Sequence, residues 1–232
     1  MSANENAKKV VIMGANGKLG SRIVHLLNSA NNLMFFGAIT RDTTTFNIME
    51  DCDVIIDVSS AHGTYTLINE LFSRKLVKPL VIGTTGTLPM DLIKEYSICA
   101  PIALISNFSQ GIPQLIKWIN NIDSDEWDVS IEETHHIHKK DAPSGTAKTL
   151  AGEFKGGNKV DLSSIKSYRE GDVIGEHTVI LKSGMETISI THSAKNRDLF
   201  ADGALRYAVW ICGKDPRLYT GMDNDIFQKT PM

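Results

Sequence analysis

Fifteen residues, Glu132 to Thr146, read E-E-T-H-H-I-H-K-K-D-A-P-S-G-T. They hold three histidines, two lysines and a Ser-Gly-Thr turn able to open a helix. Histidine exchanges protons near neutral pH, lysine supplies a fixed positive charge, and the free N–H groups of a helix start bind anions. The combination predicts a site for a small, multiply negative substrate on which a proton is moved. Two other readings compete. His135, His136 and His138 also suggest zinc, but a zinc site wants further ligands at a recognisable spacing. His177 and His192 lie in apparent strands without that spacing, so no metal is expected. The blander alternative is a polar, solvated loop.

The N-terminus carries a second pattern. Lys8 to Met13 reads as a short buried strand, Gly14-Ala15-Asn16-Gly17-Lys18-Leu19-Gly20 follows, and an amphipathic stretch comes next from Ser21 to Ser29. A glycine loop between strand and helix permits a tight turn and close approach of backbone to a pyrophosphate, whose charge the helix start offsets. Gly14 through Leu19 are therefore candidate cofactor residues; the alternative is a βα turn without a ligand. At the end of the second strand an acid would bind the ribose of NAD. This chain has Thr40 and then Arg41. Arg41 suits a 2′-phosphate, with Lys18 in support, so NADPH is expected and NADH remains possible. Asp42 serving the ribose beside a solvated Arg41 is the other option. Gly83-Thr84-Thr85-Gly86 ends a strand on the same sheet edge, either as a nicotinamide contact or as an ordinary turn.

These segments need a frame to position them. Strands are expected at 8–13, 33–40, 54–58, 80–82 and 101–105, separated by helices at 21–29, 62–76 and 88–98, which predicts a parallel sheet with helices on both faces. The pattern then changes. A helix over 111–121 leads to a strand over 127–134, the polar loop, and a helix from about 144. Two antiparallel strands, from Val173 and from Glu186, turn at Ser183-Gly184, and a closing helix spans 197–212. The fold class is α/β: an N-terminal Rossmann-like parallel sheet, plus an α+β domain with a mixed open sheet. The expected boundaries are 1–106 with 207–232 for the dinucleotide domain and 107–206 for the substrate domain. Hinges are expected near Asn107 and Arg206.

With 232 residues the chain suits one large domain or two modest ones. A net charge of −3 argues against a nucleic-acid-binding surface. No apolar run approaches the ~18 residues a membrane span needs. MSANENAKK lacks the apolar core of a secretory signal and reads as a frayed lead-in. The three cysteines are widely spaced, without a C-x-x-C pair, as in a reducing cytoplasm.

The segment H-H-I-H-K-K-D-A-P-S-G-T-A resembles the signature of the dihydrodipicolinate reductase family. V-V-I-M-G-A-N-G-K-L-G, V-I-G-T-T-G, S-N-F-S-Q-G, V-I-G-E-H-T and F-A-D-G-A-L-R-Y-A-V-W occur in that family's order, so the resemblance covers nearly the whole chain. It implies NADPH- or NADH-dependent reduction of the product of dihydrodipicolinate synthase, a cyclic dicarboxylate, in lysine and diaminopimelate synthesis. It places the acid/base histidine at His135 and the catalytic lysine at Lys139. His136 would touch substrate, while Ser144, Gly145 and Thr146 would hold a carboxylate. Gly83, Thr84 and Thr85 would line the nicotinamide pocket with Ser106, Asn107 and Phe108. It also implies a homotetramer built through the sheets of the C-terminal domains. The connections after the second strand and before Val173 are short for the family, and Thr40 stands where many members carry an acid.

Two rival functions share parts of this pattern. An aspartate-dehydrogenase-like enzyme would share the N-terminal half but has no reason to carry the His-Lys-Ser-Gly-Thr segment. A non-enzymatic NADPH-sensing module would need the glycine loop but neither His135 nor Lys139.

Overall fold

The strand β1 (Lys8–Met13) is buried from Val10 onward and sends alternate side chains to opposite faces of a sheet. Val10 and Ile12 enter one core, Val11 and Met13 the other. Burial on both faces is what a central parallel strand requires. The computed structural model describes residues 6–42, 46–122, 127–154 and 159–220. The expected lead-in at 1–5 and the domain tail at 221–232 lie outside the described residues.

The chain forms two compact units, residues 1–108 with 198–232, and residues 109–197. In the first, β1 is flanked by β2 (Leu33–Ile39) and β3 (Val54–Asp57). The sheet then continues through β4 (Leu80–Ile82), β5 (Ile102–Leu104) and β10 (Leu218–Thr220), every pairing parallel. Helices α1 (Lys18–Leu27) and α6 (Asp198–Ile211) pack on one face. On the other lie α2 (Ala61–Ser73) and α3 (Met90–Tyr96). The order β2-β1-β3 reverses the winding direction between β1 and β3, and in such sheets ligands bind outside the carboxyl ends of the strands at that point.

The second unit is a four-stranded mixed sheet, ordered β7 (Lys166–Arg169), β6 (Asp128–His135), β8 (Glu176–Lys182) and β9 (Thr187–Ser193). Only β6 and β7 run parallel. Helices α4 (Gly111–Ile119) and α5 (Gly145–Gly152) cover one face through Leu115, Ile119, Ala147 and Leu150 against Ile131, Val179 and Leu181.

Three differences from the sequence expectations have physical causes. The β7 strand reads K-S-Y-R, with no apolar alternation to signal it. At the sheet edge, β10 has only three residues. The boundary expected near Arg206 falls inside α6, one continuous helix whose Ala201, Ala204, Leu205 and Ala208 all enter the first unit's core. The chain therefore crosses between units at 197/198.

Candidate active site

In the first unit the site is built at the end of β1. Gly14 has φ +86°, and a Cβ there would lie 2.7 Å from Val58 O. A Cβ on Gly20 would lie 2.2 Å from Gly14 O. Only glycine allows the loop to fold this tightly beside the end of β3. Gly17 precedes α1 and offers no side chain to cap it, so the first amides of that helix stay available to an external anion. Such a cradle fits a dinucleotide pyrophosphate. Ala15 is buried, Leu19 is half-buried, and Asn16, Gly17, Lys18 and Arg41 are exposed.

The Gly83–Gly86 turn is tied to this region. Thr84 Oγ1 donates to Asp57 Oδ1 (3.1 Å) and accepts from Ser59 N (2.9 Å). Asp57, the last residue of β3, is fully buried and also accepts from the hydroxyls of Ser59 and Thr64, both at 2.5 Å. Burial pushes its carboxyl up, against the pull of those hydrogen bonds. Asp57 thus joins β3, α2 and the glycine-threonine turn. A Cβ on Gly83 would meet the Phe108 ring at 2.3 Å. Phe108 is itself buried beside Tyr207, so its ring backs the turn. Thr85 and Ser106 are exposed, and Asn107 is half-buried.

The second unit assembles the polar segment. Burial alternates along β6, and Ile131, Glu133 and His135 face inward. Pairing sets Glu133 opposite His177 on β8 and His135 opposite Arg169 on β7. His135 Nδ1 bonds Glu133 Oε2. The other carboxylate oxygen accepts from Arg169 Nη2 (3.0 Å) and Ser144 N (3.3 Å). Arg169 also donates to Lys139 O (3.2 Å) and Asp141 O (2.5 Å), which anchors the loop carrying Lys139. Lys139 Nζ pairs with Asp141 Oδ1 at 2.8 Å.

Ser144 caps α5: its Oγ accepts from Ala147 N (3.2 Å) and lies 3.1 Å from His177 Nε2. Because Ser144 N and Oγ are both engaged inside the protein and the residue is buried, its part is to set the helix start. The exposed Gly145 amide, with nothing within 4 Å of its Cβ position, is the donor that start presents. Thr146, next in sequence, is half-buried, as is His136 just after β6, and His138 is exposed.

The electrostatics follow from burial and neighbours. Burial pushes the Glu133 carboxyl up, but the bonds from Arg169 and His135 outweigh it and hold it below the usual carboxylate range. His135 is lowered, by burial first and then by Lys139 and Arg169, with Glu133 opposing. His177 is lowered to about 3 by burial and by His135 and His192. Ligand atoms of Glu133, His135 and His177 lie within 4.8 Å of one another, a possible metal cluster among the described residues. Arg169 on Glu133 and the Lys139 charge against His135 oppose a further cation there. His177, set aside in the sequence for want of zinc spacing, sits beside His135 with ring centroids 5.0 Å apart. Glu133 lies in the Glu132–Thr146 run and His177 in V-I-G-E-H-T, but neither has a role there in the sequence reading, and Arg169 has no local signal; strand register brings all three into the site.

Comparison with known proteins adds an independent line. Residues 8–108 match the family model described as dihydrodipicolinate reductase, N-terminus, and residues 107–225 match its C-terminus. The chain is 32% identical over 251 residues to 4-hydroxy-tetrahydrodipicolinate reductase of Sulfurimonas denitrificans, covering 93% of this chain and 98% of the relative. It is 33% identical to the enzyme of the same name from Akkermansia muciniphila, covering 92% and 96%. Among solved structures, dipicolinate-bound dihydrodipicolinate reductase from Paenisporosarcina sp. TG-14 shares the fold. Its TM-score is 0.73 at 20% identity, covering 94% of this chain and 99% of that one.

Proposed function

The chain belongs to the dihydrodipicolinate reductase family, and on that premise we propose how its residues divide the work. The reaction is the NAD(P)H-dependent reduction of 4-hydroxy-tetrahydrodipicolinate in lysine and diaminopimelate biosynthesis. Neither rival reading explains a chain matched by both family models.

The first unit holds the dinucleotide. The β1–α1 loop, Gly14 to Leu19, receives the pyrophosphate, and Arg41 with Lys18 selects NADPH over NADH through its 2′-phosphate. Gly83, Thr84 and Thr85, with Ser106, Asn107 and the buried Phe108, shape the nicotinamide side. The bound cofactor supplies a hydride.

The second unit holds the substrate. Gly145 and Thr146 amides, set by Ser144 and joined by His136, take one carboxylate, while Lys139 adds positive charge. The net change adds a hydride and a proton and releases the 4-hydroxyl as water. His135 and Lys139 are the groups placed to exchange protons, a contribution of roughly 10²- to 10⁴-fold. We read the assembly as a homotetramer built through the outer face of the second sheet, where Thr134, Thr178, Ile180, Ser189 and Thr191 stand. Free cysteines fit a cytoplasmic setting.

The observation that carries this reading is the buried Glu133–His135 pair beside the Ser144-capped helix start, two halves of one proton-and-carboxylate site. Dipicolinate should inhibit competitively against the substrate. Turnover indifferent to dipicolinate would remove the dicarboxylate site from this account.

A further inference from the structure

We propose that Glu133 is the positioning residue of this site: one buried carboxylate fixes the tautomer of His135 and, through its second oxygen, the backbone that opens α5. The inference rests on the roles proposed above for His135 and the Gly145–Thr146 turn.

The side chain of Glu133 is completely buried. Its oxygens are divided between two tasks. Oε2 faces His135 Nδ1. An ionised carboxylate only accepts hydrogen bonds, so His135 Nδ1 must carry a proton. When the ring is neutral, Nε2 then bears the lone pair, and Nε2 is the atom through which His135 gains or releases a proton. The residue beside Nε2 is Gly175, whose Cβ would sit 3.1 Å from it; any side chain there would crowd the working nitrogen.

Oε1 accepts from Ser144 N and from Arg169. Ser144 is the cap of α5, and Arg169 grips the carbonyls of Lys139 and Asp141. The loop from Lys139 to Ser144 is therefore held to Glu133 at its far end directly and at its near end through Arg169. The groups facing His135 are Glu133 on its own strand, His177 from β8, Arg169 from β7, and Lys139 and Asp141 from the loop. Asp141 is half exposed and paired with Lys139, so Glu133 is the one buried carboxylate bonded to the ring and the main group among these that favours the imidazolium.

Glu133→Gln keeps the shape and keeps an acceptor for Arg169 and Ser144. The amide N–H then donates to Nδ1 and moves the ring proton to Nε2. In serine proteases the same exchange behind the catalytic histidine costs about 10⁴-fold in turnover. The test uses the full-length enzyme with ¹⁵N-labelled histidine, the His135 signals being assigned by their loss in His135→Gln. The expected wild-type state is Nδ1–H, changing to Nε2–H in Glu133→Gln. The kcat should fall on the order of 10²- to 10⁴-fold. The His135 limb of the pH profile should move to lower pH, and NADPH affinity should match wild type. A wild-type Nε2–H tautomer, an unchanged limb, or kcat within threefold of wild type would overturn the proposal. If Glu133→Gln does not fold, the wild-type spectrum alone decides. If wild type fails to reduce the synthase product, the proposed function falls, while the tautomer still tests Glu133.

Discussion

His177 Nε2 lies 3.1 Å from Ser144 Oγ, joining the start of β8 to the cap of the helix whose amides we assign to a substrate carboxylate. Both groups are buried, and His177 Nδ1 has no hydrogen-bond partner among the described residues. A buried orphan lone pair is tolerated better than a buried orphan N–H. Nε2 therefore carries the ring proton and donates to Ser144 Oγ.

His177→Phe removes that donor while keeping a ring. A lost buried hydrogen bond of about 1–2 kcal/mol corresponds to a rise of roughly five- to thirtyfold in the KM for substrate, with the KM for NADPH unchanged. His177→Gln, whose amide reaches the same place, should recover part of the loss. Steady-state kinetics on the three proteins decides it; equal KM values would remove His177 from the site.

The same histidine makes stability depend on pH. Its folded-state pKa is about 3, against 6.5 when free. Between those values the unfolded chain binds a proton that the folded one does not. Stability is therefore full above about pH 6.5 and falls as pH drops toward 3, by about 1.4 kcal/mol per pH unit for one proton. Thermal midpoints measured from pH 7 to 4 should fall less steeply for His177→Phe than for wild type. Parallel curves would show that His177 does not titrate in this way.

Much of the site was legible because its signals are local. A strand, a glycine loop and a helix follow one another in sequence, so Gly14 to Leu19 could be read directly, as could the His135–Thr146 run. What escaped depends on register. Glu133 meets His177 and Arg169 because β6 pairs with β8 in one direction and β7 in the other, and β7 itself has no apolar pattern to announce it. Asp57 falls inside the strand expected at 54–58 with nothing in the sequence to single it out; its ties to Thr84 and Thr64 come from segments that converge only after winding.

The glycine cradle makes a sharp prediction. Gly20→Ala drives a Cβ to 2.2 Å from Gly14 O, a backbone atom that cannot rotate away. The loop must open, so NADPH affinity should fall at least tenfold by fluorescence titration, while dipicolinate binding to the second unit is retained. Wild-type NADPH affinity in this variant would contradict the loop assignment.

In the proposed function Arg41 sets cofactor choice, which can be tested directly. A charge-assisted bond to a phosphate is worth about 1.5–3 kcal/mol. Arg41→Ala should therefore raise the KM for NADPH roughly ten- to a hundredfold and leave that for NADH nearly unchanged. Equal effects on both cofactors would place Arg41 away from the 2′-phosphate.

The central claim is that the His135–Lys139 segment performs proton chemistry in the reduction. The most direct measurement generates the substrate in place with dihydrodipicolinate synthase and follows oxidation of NADPH by its absorbance, with wild type beside Lys139→Ala. The account predicts oxidation that requires the synthase product and falls by about 10²-fold or more in the variant, with NADPH binding intact in both. Synthase-dependent oxidation that is equal in the two proteins would contradict it.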